Sequence, residues 1–139
     1  MKVTMLLADA AQAVDGKLNV LGGGWTFTGP QPVPSAIGIV VDVPWDRANQ
    51  QLPYVLELLD SDGDSVVADG PDGEAPVRVE GVFEVGRPAG VKPGTSLALT
   101  MAINLAPMPL EPGGRYEWRL TVAGESHQDW RLPFSVRTG

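Results

Sequence analysis

Cysteine is absent from the chain, and histidine occurs once, at His127. The first absence excludes disulfide staples, thiol catalysis, iron–sulfur clusters and Cys-based zinc sites. The second excludes any metal site built on several imidazoles. Long apolar runs are also missing. Met5-Leu6-Leu7-Ala8 is stopped by Asp9, whereas a secretory core needs about 7–15 apolar residues and a membrane span about 20. The cytoplasm is therefore the expected compartment, with no membrane partner. Positive charge is scarce: 10 Lys and Arg face 17 Asp and Glu, for a net charge of −7. Residues 57–84 hold most of the excess, with Glu57, Asp60, Asp62, Asp64, Asp69, Asp72, Glu74, Glu80 and Glu84 against Arg78 alone. Such a stretch repels phosphate backbones and anionic lipid, so no nucleic-acid partner is expected.

Glycine and proline are abundant instead, at 17 and 13 of 139 residues. No collagen period accompanies them, and so many breakers leave little room for helices. Period-two alternation recurs throughout. Tyr116, Trp118, Leu120 and Val122 share one face of 115–122, and Trp130, Leu132, Phe134 and Val136 share one face of 130–136. Similar alternation runs through Val77–Val85, Leu97–Leu105, Ile37–Val43, Tyr54–Leu58 and Val3–Leu7. Leu18 and Val20 begin a further strand that resumes at Trp25 and Phe27 after Gly22-Gly23-Gly24. Single helical turns are expected at Asp9–Val14 and Asp46–Gln50. Pro133 lacks an amide donor, which predicts an edge or a bulge in the last strand. The connectors Gly29–Ser35, Gly86–Gly94 and Ala106–Gly114 are rich in Pro and Gly. Evenly spaced short strands of this kind predict one all-β domain over residues 1–139, an antiparallel two-sheet β-sandwich of about eight strands, immunoglobulin-like or C2-like.

Few residues offer chemistry. The glycine run at 22–24 lacks the helix that a phosphate loop requires, and Trp25-Thr26-Phe27-Thr28 after it is strand-like. It reads as a bulge or a place of close backbone approach. Asp60-Ser61-Asp62-Gly63-Asp64-Ser65 resembles the start of a calcium loop, yet counting from Asp60 the required Gly and Glu positions hold Ser65 and Pro71. Asp60, Asp62, Asp64 and Asp69 remain metal candidates in the manner of calcium-binding C2 loops, beside the plainer reading of an Asp-Gly hairpin turn. His127 lies in a turn with Glu125, Ser126 and Asp129, and four sequential polar residues do not make a triad.

Trp25, Trp118 and Trp130 fall on apolar faces and are expected in the core. Trp45, just past a strand end at Pro44-Trp45-Asp46-Arg47, is the aromatic expected to serve as an interaction anchor. Val33 in the first Pro-rich connector, and Met108 and Leu110 in another, are the remaining interaction candidates. Leu6, Val40, Val55 and Leu59 point nominally outward. A face of this kind calls for a second copy or a short N-terminal cover, and a homodimer is the expectation.

The opening Lys2-Val3-Thr4-Met5-Leu6-Leu7-Ala8-Asp9-Ala10-Ala11, followed by Asp15-Gly16-Lys17-Leu18-Asn19-Val20-Leu21-Gly22, resembles a group of small functionally uncharacterised bacterial β-proteins. In that group an Ala-Asp pair precedes a Gly-Lys-Leu strand that ends in glycine. The resemblance implies a compact β-domain and carries no catalytic residues. The expected function is a non-enzymatic protein-interaction or structural module without a cofactor, its partner another protein or itself. The alternative is a ligand-binding sandwich, for calcium or a saccharide, using the loop aspartates or an exposed Trp. A hydrolase ranks behind both, because one His and no Cys leave few catalytic parts.

Overall fold

Alternation becomes strand along most of the chain, and the turns fall at Gly, Pro and Asp. The computed structural model describes residues 1–139. Its strands are β1 (Lys2–Ala8), β2 (Ala10–Val14), β3 (Lys17–Leu21), β4 (Phe27–Thr28), β5 (Ser35–Val43), β6 (Leu52–Asp60), β7 (Val67–Gly70), β8 (Gly73–Pro76), β9 (Arg78–Phe83), β10 (Leu97–Leu105), β11 (Arg115–Val122) and β12 (Arg131–Val136). The fold is all-β, with a single 3-10 turn at Trp45–Arg47 where one turn was expected. No helix is long and apolar enough to cross a membrane.

Four sheets replace the expected two, and twelve strands the expected eight. The larger sheets run β1-β5-β10 and β4-β12-β11-β6-β9, and β2-β3 and β7-β8 are separate hairpins. All pairings are antiparallel except β4 with β12. That parallel contact reaches only Ser135 and Val136 of β12. Arg131–Phe134 is thus bordered by a ladder on its β11 side alone, which is where Pro133, without an N–H, is tolerated.

One cluster of 16 buried residues draws on both larger sheets. Ile37, Ile39, Val41 and Val43 of β5 are fully buried, and Trp118 and Trp130 are 1% exposed. Each such aliphatic contributes about 1.5–3 kcal/mol on leaving water. Trp25 is only half-buried, its ring edge-on to Phe134 at 5.9 Å, and Phe27 is exposed. Only Phe27–Thr28 forms strand here, so the alternation expected through Trp25 and Phe27 never becomes a full strand.

The segment Asp9–Val14 is not a helical turn. Ala10–Val14 pairs with Lys17–Leu21 through the two-residue loop Asp15-Gly16, whose φ angles of 52° and 71° fit the mirror-image turn that hairpins favour. This hairpin lies over the outer face of β5 and β10. Gly38 makes its seat, since a β-carbon there would sit 3.0 Å from Leu18 Cδ2 and 3.4 Å from Val20 Cγ2. Asn104 of β10 pins the other strand: its Oδ1 accepts from the Ala11 amide at 3.3 Å, and its Nδ2 donates to the Ala11 carbonyl at 3.0 Å. At Gly23 the hairpin also closes on Leu6, because a β-carbon there would strike both Val20 and Leu6. Of the two covers expected over Leu6, a second copy or a short N-terminal segment, it is the N-terminal segment β2-β3 that lies there. Leu59 is covered separately, 5% exposed, by the chain returning to bridge it at Ser65.

Candidate functional site

Three of the four residues nominated as interaction anchors meet. Ser35 pairs with Leu105, so the connector entering β5 and the one leaving β10 depart from the same end of that sheet. Val33 is thereby brought beside Met108 and Leu110. With Pro30 and Pro32 they wall a cleft floored by Trp25, Trp118 and Phe134. Val33 is exposed, Met108 and Leu110 half-buried, and Trp25 Nε1 is buried without a hydrogen-bond acceptor in the chain. The cleft encloses about 40 Å³, room for a water but far below the roughly 300–1,000 Å³ of a small-molecule site.

Trp45 stands at the other end of β5, some 27 Å away along nine residues of strand. Its ring lies under Arg87, whose guanidinium carbon is 4.6 Å from the ring centroid. Arg87 Nε and Nη2 also donate to the Trp45 carbonyl, at 3.2 and 2.7 Å. One face of the indole is thus occupied, which removes half of the stacking surface a sugar ring would use.

The aspartates separate into two groups. Carboxylate oxygens of Asp60, Asp62 and Asp64 lie within 4.8 Å of one another. Asp60 Oδ1 already accepts from the amides of Asp62 and Asp64, at 2.9 and 3.0 Å, so it works as the pivot of the turn. Asp69 is outside this group: it sits on β7 opposite Glu74, in the exposed β7-β8 hairpin. With one oxygen from each of the three carboxylates, the rest of calcium's six to eight ligands would have to come from backbone carbonyls or water. His127 is exposed and rests against Trp130, ring centroids 4.5 Å apart.

A further feature escaped the sequence reading. β10 is an edge strand, paired with β5 on one side only. It is nine residues long, Leu-Ala-Leu-Thr-Met-Ala-Ile-Asn-Leu, with no charge, proline or glycine. The other edges of the two larger sheets carry the features that discourage strand addition. β9 bears the ion pair Arg78–Glu80 at 2.7 Å, β4 has two residues, and β1 begins with Lys2 and has its Leu7 carbonyl taken by the Gly24 amide at 2.7 Å. No backbone hydrogen bond outside the β5 ladder involves residues 97–105. The signal was present as an uncharged alternating run, but a buried central strand has the same pattern.

A model for a family of unknown function, DUF6941, matches residues 3–137. The chain belongs to this family. No curated protein matches it. The DUF6941 match takes in the cleft, the acidic turn and β10 together, so all three lie within the family's own span. An uncharacterised family agrees with the resemblance seen in the N-terminal segment.

Proposed function

We propose that this DUF6941 chain is a non-enzymatic protein-interaction module that receives an extended strand on the open edge of β10. The carrying observation is the contrast between edges: nine residues of neutral, alternating strand at β10, against charge, shortness or backbone cover on the others. Strand addition draws affinity from main-chain hydrogen bonds and selectivity from alternate side chains. The two larger sheets then serve as a sandwich-like scaffold within one domain, residues 1–139, in the cytoplasm, with neither nucleic acid nor membrane as partner. The calcium alternative keeps one observation in its favour, the convergence of Asp60, Asp62 and Asp64.

The test is a photoreactive benzoylphenylalanine in place of Ala98, an exposed residue on the outer side of β10. Irradiation of cells producing the full chain should give a discrete adduct, absent when the same probe replaces the exposed Gln128. Absence of any adduct at Ala98 would remove the interaction reading.

A further inference from the structure

We infer that the strand received by β10 is β10 of a second copy, running antiparallel and centred on Met101. This inference rests on the reading of β10 as an open edge. Side chains alternate along a strand, so a self-pairing must keep inner residues opposite inner residues. Centring on Met101 does so and uses all nine residues. Leu97 then faces Leu105 of the other copy, Leu99 faces Ile103 and Met101 faces Met101, on the core side. Ala98 faces Asn104 and Thr100 faces Ala102 on the outer side. A slip of one residue would set core-side aliphatics opposite outward residues along the whole strand.

Burial points the same way. One strand inward, Ile37, Ile39, Val41 and Val43 of β5 are 0% exposed. Their neighbours on β10, Leu99, Met101, Ile103 and Leu105, pack against the same core yet remain half-buried. An added strand gives them the flank that β5 already has, and the outer N–H and C=O groups of β10 gain partners in about eight to ten ladder bonds.

Charge does not oppose contact between copies at this edge. The chain carries −7, and two copies repel wherever their acidic surfaces meet. The β10 ladder has no charge of its own. The nearest carboxylate along it is Asp42, beside Ala98 on β5. In the paired arrangement the two β5 strands are three strand spacings apart, about 14 Å, beyond the screening length of about 8 Å in physiological salt. The product is a two-fold dimer with one continuous six-stranded sheet, β1-β5-β10 joined to its symmetry mate. A single strand pair is a small interface, so association is expected in the micromolar range.

Sedimentation equilibrium of the full chain, from low micromolar to submillimolar concentration, should show the mass rising from 14.7 kDa towards twice that value. Thr100→Lys should weaken association by about tenfold, and so should Ala102→Glu. Mixing the two variants should restore it, because Lys at 100 then faces Glu at 102 across the ladder. In the wild-type protein, hydrogen exchange at residues 97–105 should slow as concentration rises, a readout that does not depend on any variant folding. A mass of 14.7 kDa at every concentration overturns self-pairing; an Ala98 adduct with a different protein would in that case leave the interaction reading standing. A dimer whose β10 amides exchange no more slowly than the monomer's, or one indifferent to both charges, places the contact elsewhere and also overturns it.

Discussion

Gly38→Val tests whether the β2-β3 hairpin is seated as described. Gly38 lies in the middle of β5 and has no positive φ, so its backbone accepts any residue and the cost is steric. Its β-carbon alone would stand 3.0 Å from Leu18 Cδ2 and 3.4 Å from Val20 Cγ2. The two methyl carbons of Val project about 1.5 Å further, into the space Leu18 occupies. Overpacking of this kind costs about 1–3 kcal/mol. Val gains up to about 1 kcal/mol over Gly from strand preference and reduced chain entropy. With the full gain, the balance is a loss of about 0–2 kcal/mol, with an upper limit set by release of the hairpin. Urea unfolding measures the total, and hydrogen exchange locates it. Amides of 10–21 should exchange faster, while those of 37–43 and 116–122 keep their protection. A variant more stable than wild type, with hairpin amides exchanging as before, would refute the seating on Gly38.

Trp118→Ala should cost about 3–5 kcal/mol in urea titration, because the indole is 1% exposed and stands between Leu58 and Leu132 in the ladder. Wild-type stability in that variant would contradict its place in the core. Arg87→Ala should uncover the Trp45 ring and increase acrylamide quenching of fluorescence, with a stability change below about 1 kcal/mol because the contact is exposed. Unchanged quenching would mean that the guanidinium does not shield the ring. Calcium titration should give weak, salt-sensitive binding on the order of millimolar, since Asp62 and Asp64 are exposed and Asp60 Oδ1 is already committed to two backbone amides. A saturable micromolar isotherm abolished by Asp62→Asn would instead establish a calcium site.

Strands 115–122 and 97–105 were legible because each has one face on the core: they appear as β11 and β10 with the same bounds. The β2-β3 hairpin was not. Ala-Ala-Gln-Ala-Val has no apolar alternation to speak of, and its residues are mostly exposed. The informative signal there was Asp15-Gly16 between two five-residue runs, a turn chemistry that outweighs weak helix preference. The β7-β8 hairpin escaped for a similar reason, as an exposed arm whose pairing rests on the turn at Pro71-Asp72. Convergence of Val33 with Met108 and Leu110 depends on Ser35 meeting Leu105, and strand order is a long-range property that local patterning does not encode. The open edge of β10 was hidden for the same reason.

The placement of β5 between β1 and β10 has a consequence for how the chain emerges from the ribosome. β1 and β5 are both made within the first 43 residues and can pair at once. The other flank of β5 waits for residues 97–105. At 5–20 residues per second, the intervening stretch of about 60 residues takes roughly 3–12 s to synthesise. For that interval the most hydrophobic strand of the molecule presents an unfilled side to solvent, or to a holdase that shields nascent strands. Circular permutation that brings β10 next to β5 in chain order would shorten this window without altering a single contact in the finished fold.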